Sequence, residues 1–236
     1  MNSKPKILLV EDDQSFGKIL RDYLTLNNLE VIHARDGVDG WQVFRNHHFD
    51  LCILDVMMPK RDGLELAAQI RDNNRQVPVL FLTAKGRKED MLSGFETGAD
   101  DYLVKPVDAD ILLLKIKAIL KRSAAVVETP VEDAQEFRLG TLIFNYATRT
   151  LNGGMEPQVL SPKEADVLRM LCLHQNNLVR REDILRQLWR EVNYFTGRSL
   201  DVYIARLRKY LAADETLTLN NLHKSGYVLE VKANAV

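Results

Sequence analysis

Five short apolar runs, at residues 7–10, 30–34, 51–54, 77–82 and 102–104, constrain the first half of this chain more than any other feature. They are continuous rather than alternating, the pattern of parallel strands covered on both faces. Segments of helical period separate them: 16–26 (with Phe16, Ile19, Leu20 and Leu24), 37–45, 64–71, 88–97 and 108–122. Strand and helix alternating five times predicts a doubly wound α/β domain. The expected strand order is the flavodoxin-like 2-1-3-4-5.

The alternation stops at residue 122. Residues 123–135 (SAAVVETPVEDAQ) combine small residues, one proline and three acids, and read as a linker. Residues 136–236 form a second, α+β domain. Residues 137–144 and 149–151 read as short antiparallel strands, with Asn152-Gly153-Gly154 as a turn. Three helices are expected at 162–174, 181–190 and 199–211, and a hairpin over 217–231 closes the chain.

Composition excludes several classes. Two cysteines in 236 residues cannot form a disulfide framework. Cys52 and Cys172 both lie in apolar runs and read as reduced core residues. No stretch has the apolar core of a signal peptide or the length of a membrane span, so a soluble, cytoplasmic protein with no membrane partner is expected.

Ligands of open parallel sheets bind beyond the carboxyl ends of the strands. Glu11-Asp12-Asp13 follow the first run, Asp55 ends the third, Thr83 ends the fourth and Lys105-Pro106 end the fifth. The order 1-3-4-5 brings these groups into one pocket. Clustered carboxylates repel and call for a cation, and oxygen ligands suit Mg²⁺. A carboxylate can also attack a phosphoryl group. Asp55 would attack, Lys105 would pair with the phosphoryl oxygens, and the Thr83 hydroxyl would donate to one of them. The plainer alternative is that acids at strand ends are solvated or cap helices.

VEDD at 10–13, LDVMMP at 54–59, LTA at 82–84 and DDYLVKP at 100–106 resemble the receiver domain of two-component response regulators. The resemblance covers residues 6–122. It implies that Asp55 accepts phosphate from a sensor histidine kinase. It also implies that Glu11, Asp12, Asp55 and the Met57 backbone carbonyl form the Mg²⁺ site, with Asp13 outside it. Thr83 and Tyr102 match the switch hydroxyl and switch aromatic, and the Lys105–Pro106 bond is expected to be cis. Phosphorylation adds about 1.5–2 negative charges. Thr83 would move towards them, Tyr102 would fill the space behind it, and the surface of the 88–97 helix, fifth strand and 108–122 helix would rearrange.

A helix over 198–211 places Leu200, Ile204, Leu207 and Leu211 on one stripe. Arg198, Val202, Ala205, Arg206 and Lys209 lie opposite. An apolar back with a basic front suits the DNA major groove. LSPKEA at 160–165, VRREDIL at 179–185, RSLDVYIARLR at 198–208 and SGY at 225–227 resemble the winged helix-turn-helix effector of the OmpR/PhoB subfamily, over residues 137–231. That resemblance implies base contacts from Val202 and Arg206. It implies backbone contacts from Arg198, Tyr203, Arg208, Asn221 and Tyr227, and a wing carrying His223 and Lys224. Trp189 is either a phosphate contact or a core aromatic. Double-stranded promoter DNA and RNA polymerase are the implied partners.

Two positions depart from the subfamily pattern. His223 stands where many members carry a minor-groove arginine, which leaves a weaker reader of a narrow A·T groove. On the implied homodimer face, Ile111 and Met91 replace an expected ion pair, while Asp101 and Lys115 keep another; Arg122 shares the Ile111 stripe.

The resemblance therefore implies a phosphorylation-switched transcription regulator, which is not a metabolic enzyme. A metabolic phosphatase would carry an acid two residues after the nucleophile, where this chain has Met57. The remaining alternative is a regulator whose receiver works without phosphate as an interaction module. The formal net charge is −1, which by itself suggests little contact with nucleic acid. Divided at the linker, it is −1 over residues 1–122, −3 over 123–135 and +3 over 136–236. The modest +3 implies that tight binding draws on dimerisation and base contacts.

Overall fold

The computed structural model describes residues 4–84, 100–128, 135–154, 156–189, 192, 194–222 and 225–232. They fall into two compact units that divide at Ala124 and Ala125. The expected 88–97 helix, Met91, His223 and Lys224 lie outside the described residues, as does the side chain of Arg122.

In the first unit, strands β1 (Lys6–Val10), β2 (Glu30–Ala34), β3 (Leu51–Asp55), β4 (Val79–Ala84) and β5 (Asp101–Lys105) form one parallel sheet in the order β2-β1-β3-β4-β5. Helices α1 (Gln14–Leu26), α2 (Gly37–Asn46), α3 (Gly63–Asn73) and α4 (Ala109–Glu128) accompany it. Side chains alternate across a strand, and here both sets are apolar. Ile7, Leu9, Leu51, Ile53, Leu80 and Leu82 pack with Leu20 and Leu24 of α1 and Leu112, Ile116 and Ile119 of α4. Gly40 of α2 comes close to Val10 and to Leu66 of α3, on the other side. Strands buried twice over read as unbroken apolar runs.

Aspartates start the helices. Asp13, Asp36 and Asp62 each accept two backbone N–H groups at the first turns of α1, α2 and α3, and Asp108 does the same for α4. At the amino end of β4 and β5, a buried pair joins Arg71 to Asp100 at 2.6 Å, and Asp100 also accepts from the Val79 amide at 2.8 Å. Helix α4 continues six residues past Arg122, where periodicity ends it, through Ala124-Ala125-Val126-Val127 to Glu128. Small and apolar residues there do not oppose helix.

In the second unit, β6 (Glu136–Leu139), β7 (Leu142–Asn145), β8 (Thr150–Asn152) and β9 (Gln158–Val159) form an antiparallel sheet. Helices α5 (Pro162–Leu173), α6 (Arg181–Trp189) and α7 (Tyr194–Leu211) follow. Strands β11 (Leu217–Leu222) and β12 (Gly226–Val231) form a hairpin, and β10 (Val179–Arg180) pairs with β12. One core joins the sheet, the three helices and the hairpin, through Phe144, Leu168, Ile184, Leu200, Leu207 and Leu229 among others. Cys52 and Cys172 are both buried, and burial pushes the Cys52 thiol up to about 12. No helix among the described residues is long and apolar enough to cross a membrane.

The backbone after β3 is held by close approach. A Cβ on Gly63 would meet the Asp55 carbonyl oxygen at 2.0 Å, and the Gly63 amide donates to the Val56 carbonyl at 3.1 Å. Gly63→Ala is expected to destabilise the first unit by about 1–3 kcal/mol. Urea unfolding followed by Trp41 fluorescence in a Trp189→Phe background measures this; an unchanged midpoint refutes the constraint.

Candidate functional site

The strand order aligns the carboxyl ends of β1, β3, β4 and β5. Glu11 leaves β1, with its amide donating to the Ala34 carbonyl at 3.1 Å, and its side chain is fully buried. Asp55 ends β3, buried against β4. Lys105 ends β5 and reaches back across the sheet. Its ammonium donates to both Glu11 oxygens at 2.8 Å and to Asp55 Oδ2 at 2.6 Å. The Met57 amide donates to Asp55 Oδ1 at 3.1 Å. Lys105 also lies over the Phe16 ring, 5.1 Å from its centroid.

Burial pushes the Glu11 carboxyl up to about 7; the Lys105 hydrogen bond opposes this, and the Asp55 and Asp12 charges add to it. Burial alone would lower the Lys105 ammonium, but the hydrogen bonds and charges of Asp55 and Glu11 outweigh it and raise it. The site thus holds more negative charge than one lysine offsets. Ligand oxygens of Glu11, Asp12 and Asp55 lie within 4.8 Å of one another. Three hard oxygen donors, two buried and one exposed, suit a small divalent cation that retains waters. The residues present therefore fit Mg²⁺.

Asp13 is the N-cap of α1, accepting from Ser15 and Phe16 at 2.9 and 3.1 Å, which accounts for its place outside the acidic trio. Thr83 and Tyr102 are both buried on β4 and β5. The Lys105–Pro106 bond is cis.

Two residues of the expected dimer face meet each other within the chain. Asp101 and Lys115 pair with each other within the chain, at 3.1 Å to both carboxylate oxygens, and both side chains are largely buried. One turn of helix brings Lys115 back over β5, so this charge pair is already satisfied inside the protomer. Ile111 and Leu114 are exposed beside it.

In the second unit, Leu200, Ile204, Leu207 and Leu211 bury one side of α7, as the periodicity requires. Arg198, Ala205, Arg208 and Lys209 are exposed, and Val202 and Arg206 are half-buried. Arg206 pairs with buried Glu164 of α5 at 3.2 Å. Arg208 Nε donates to the Leu219 carbonyl at 2.8 Å, tying α7 to the hairpin, while Asn221 is exposed near the hairpin's tip.

Tyr203 and Tyr227 do not stand on a DNA-facing surface. Tyr203 is fully buried and stacks on Trp189, with ring centroids 6.1 Å apart. Trp189 is itself core: Lys163 lies over its ring at 4.6 Å and its Nε1 is buried. The Tyr227 hydroxyl points into a network. It accepts from Arg181 Nη1 and donates to Asp201 Oδ1 at 3.2 Å. Arg181 also donates to Asp201 Oδ1 at 2.5 Å and to the Gly197 carbonyl at 2.6 Å. One guanidinium thus joins α6, the first half of α7 and β12. Neither Arg181 nor Glu164 stood out in the sequence, because each depends on a partner 20 to 46 residues away.

A cleft of about 900 Å³ opens beside this network, lined by Arg180, Arg186 and Arg198 as well as Glu182 and Asp183. Tyr227→Phe removes only the hydroxyl that ties Arg181 to β12. It is expected to lower the stability of the second unit by about 1.5–3 kcal/mol, as for a hydrogen bond to a charged group. Urea unfolding read from Trp189 tests this. Unchanged stability with weakened DNA binding would return Tyr227 to the surface role.

Comparison with known proteins agrees with both units. Residues 7–117 match the response regulator receiver domain family, and residues 155–229 match the family described as transcriptional regulatory protein, C terminal. The chain is 40% identical to the transcriptional regulatory protein RprY of Bacteroides fragilis, over 97% of this chain and 96% of that protein. It is 32% identical to the transcriptional regulatory protein SrrA of Staphylococcus aureus, over 97% of each. A solved structure of a RitR mutant shares the fold, with a TM-score of 0.71 at 22% identity, covering 97% of this chain and 100% of that one. The chain belongs to the OmpR/PhoB-type two-component response regulators, transcription regulators whose receiver is switched by phosphorylation.

Proposed function

We propose that Asp55 is the phosphoacceptor and that its phosphorylation by a sensor histidine kinase controls binding of residues 136–236 to promoter DNA. The observation that carries this reading is the bridge from Lys105 to both Glu11 and Asp55 at the aligned strand ends. An Asp55 oxygen forms the new bond to phosphorus as the phosphorus–nitrogen bond of the kinase's phosphohistidine breaks. Lys105 already lies at Asp55 and follows the incoming phosphoryl oxygens as a counter-charge. Bound at Glu11, Asp12, Asp55 and the Met57 carbonyl, Mg²⁺ would supply further positive charge for those oxygens. Thr83 and Tyr102, buried on the neighbouring strands, convert that charge into a changed surface.

Ile111 and Leu114 give that surface an apolar element through which two receivers pair, and two DNA-binding units then meet half-sites about one turn apart. Arg206 and Val202 approach base edges. Arg198, Arg208 and Asn221 contact phosphates, joined by the wing residues His223 and Lys224. DNA-bound dimers act on RNA polymerase, and the protein works in the cytoplasm.

Incubation with Mg²⁺ and acetyl phosphate, followed by intact mass, is expected to show one added phosphoryl group that Asp55→Asn abolishes. Thr83→Ala is expected to keep the mass gain but blunt the rise in DNA affinity. A mass gain indifferent to Asp55→Asn refutes the assignment. DNA affinity indifferent to phosphorylation would favour the receiver as a phosphate-independent interaction module.

A further inference from the structure

Glu164 carries a charge that its local structural role does not require. It is the third residue of α5 and completes a capping box with Ser161. Glu164 Oε2 accepts from the Ser161 amide at 2.8 Å, and the Glu164 amide donates to Ser161 Oγ at 3.4 Å. Glutamine serves equally well at this position of a capping box, because only a carbonyl-type acceptor is needed. Yet Glu164 is 1% exposed, and an ionised carboxylate there is costly unless paired. Its pairing comes from the other oxygen, Oε1, which accepts from Arg206 Nη1 at 3.2 Å.

Arg206 is the half-buried basic residue beside Val202 on the front of α7. A guanidinium is a planar fork, so one anchored nitrogen on a rigid, buried acceptor restricts the orientation of the whole plane. Base readout by arginine depends on that orientation, because two nitrogens must meet the O6 and N7 of one guanine together. A flexible arginine would have to lose its rotamer freedom on binding; a braced one has already lost it. The brace comes from α5, a different element from the reading helix.

We infer that Glu164 is a specificity-determining positioning residue: it holds the Arg206 guanidinium in a single orientation for base recognition, while its second oxygen caps α5. This rests on the reading of Arg206 as a base contact. It assigns Glu164 no contact with DNA of its own.

The test uses the phosphorylated full-length chain, its own binding sites selected from random double-stranded DNA, and an unrelated duplex as competitor. Glu164→Gln keeps the acceptor for the cap but removes the charge that holds Arg206. It is expected to weaken binding to the selected site roughly tenfold, with relaxed preference confined to one base position. Binding to the unrelated duplex and the salt slope should stay unchanged, since no phosphate contact is lost. Arg206→Ala should relax the same position, and Glu164→Gln added to Arg206→Ala should have no further effect on specific binding. Specific affinity that Glu164→Gln leaves intact while Arg206→Ala lowers it overturns the inference alone. Effects of the two substitutions that simply add also overturn it, as does equal loss of specific and unrelated binding. Specific binding indifferent to Arg206→Ala overturns the base-contact reading and the brace with it.

Discussion

A parallel strand that is apolar on both faces has no side on which to carry a charge. This constraint organises the first unit. Ile7, Leu9, Leu51 and Ile53 face α1 and α4, and the alternate positions Leu8, Val10, Cys52 and Leu54 are equally buried. Polar chemistry is displaced to the strand ends. At the carboxyl ends the displaced groups are Glu11, Asp55, Thr83 and Lys105. At the amino end of β4 and β5 they are Arg71 and Asp100, which form a buried ion pair at 2.6 Å. The two ends differ in balance. Arg71 and Asp100 form a one-to-one pair, whereas Lys105 serves two buried carboxylates with Asp12 beside them. The unbalanced end is the one able to bind further positive charge and to use a phosphoryl group.

The second unit solves a different problem, since its working surface must carry charge and still have a fixed shape. Two acids on or against α7 do this from opposite sides. Asp201 holds Arg181, which reaches Gly197 and Tyr227 and so fixes the hairpin to the start of α7. Glu164 holds Arg206 from α5. Burial would lower the Arg181 guanidinium, but Asp201 and the other partners outweigh it and keep it firmly charged. These pairs add little positive field, because each neutralises itself. Their contribution is preorganisation, which favours one bound geometry over many.

The sheet, its order and the acid cluster were legible in the sequence because each depends on local pattern. Continuous apolar runs announce doubly covered strands, and topology alone then brings their ends together. The helix caps were legible in part: Asp13 could be set apart from Glu11 and Asp12, and its hydrogen bonds to Ser15 and Phe16 show its cap role. Contacts between distant elements were not legible. Tyr203 looks available for DNA by resemblance, yet it lies three residues after Leu200 and four before Leu207, beside the buried stripe rather than opposite it. Tyr227 keeps an apolar ring in the core and a hydroxyl that could face either way; only Arg181 and Asp201 decide which. Asp101 and Lys115 have the charges of an intermolecular pair, but spacing along the chain says nothing about whether they already meet in one protomer.

That intramolecular pair bears on what would hold the proposed dimer together. An ion pair formed between protomers at Asp101 or Lys115 would first have to give up one already made in a largely buried setting, so exchange brings little net energy. Ile111 and Leu114 have no such competing partner in their exposed state, and covering them removes apolar surface from water. Apolar burial is weakly directional and nearly indifferent to salt. A receiver that pairs chiefly through these side chains would therefore draw its phosphorylation dependence from shape rather than from charge at the contact itself. On the proposed dimer, the DNA-binding unit, whose net charge is only +3, would then gain affinity from a second copy, which would raise the effective concentration of the second half-site contact without any additional basic residue.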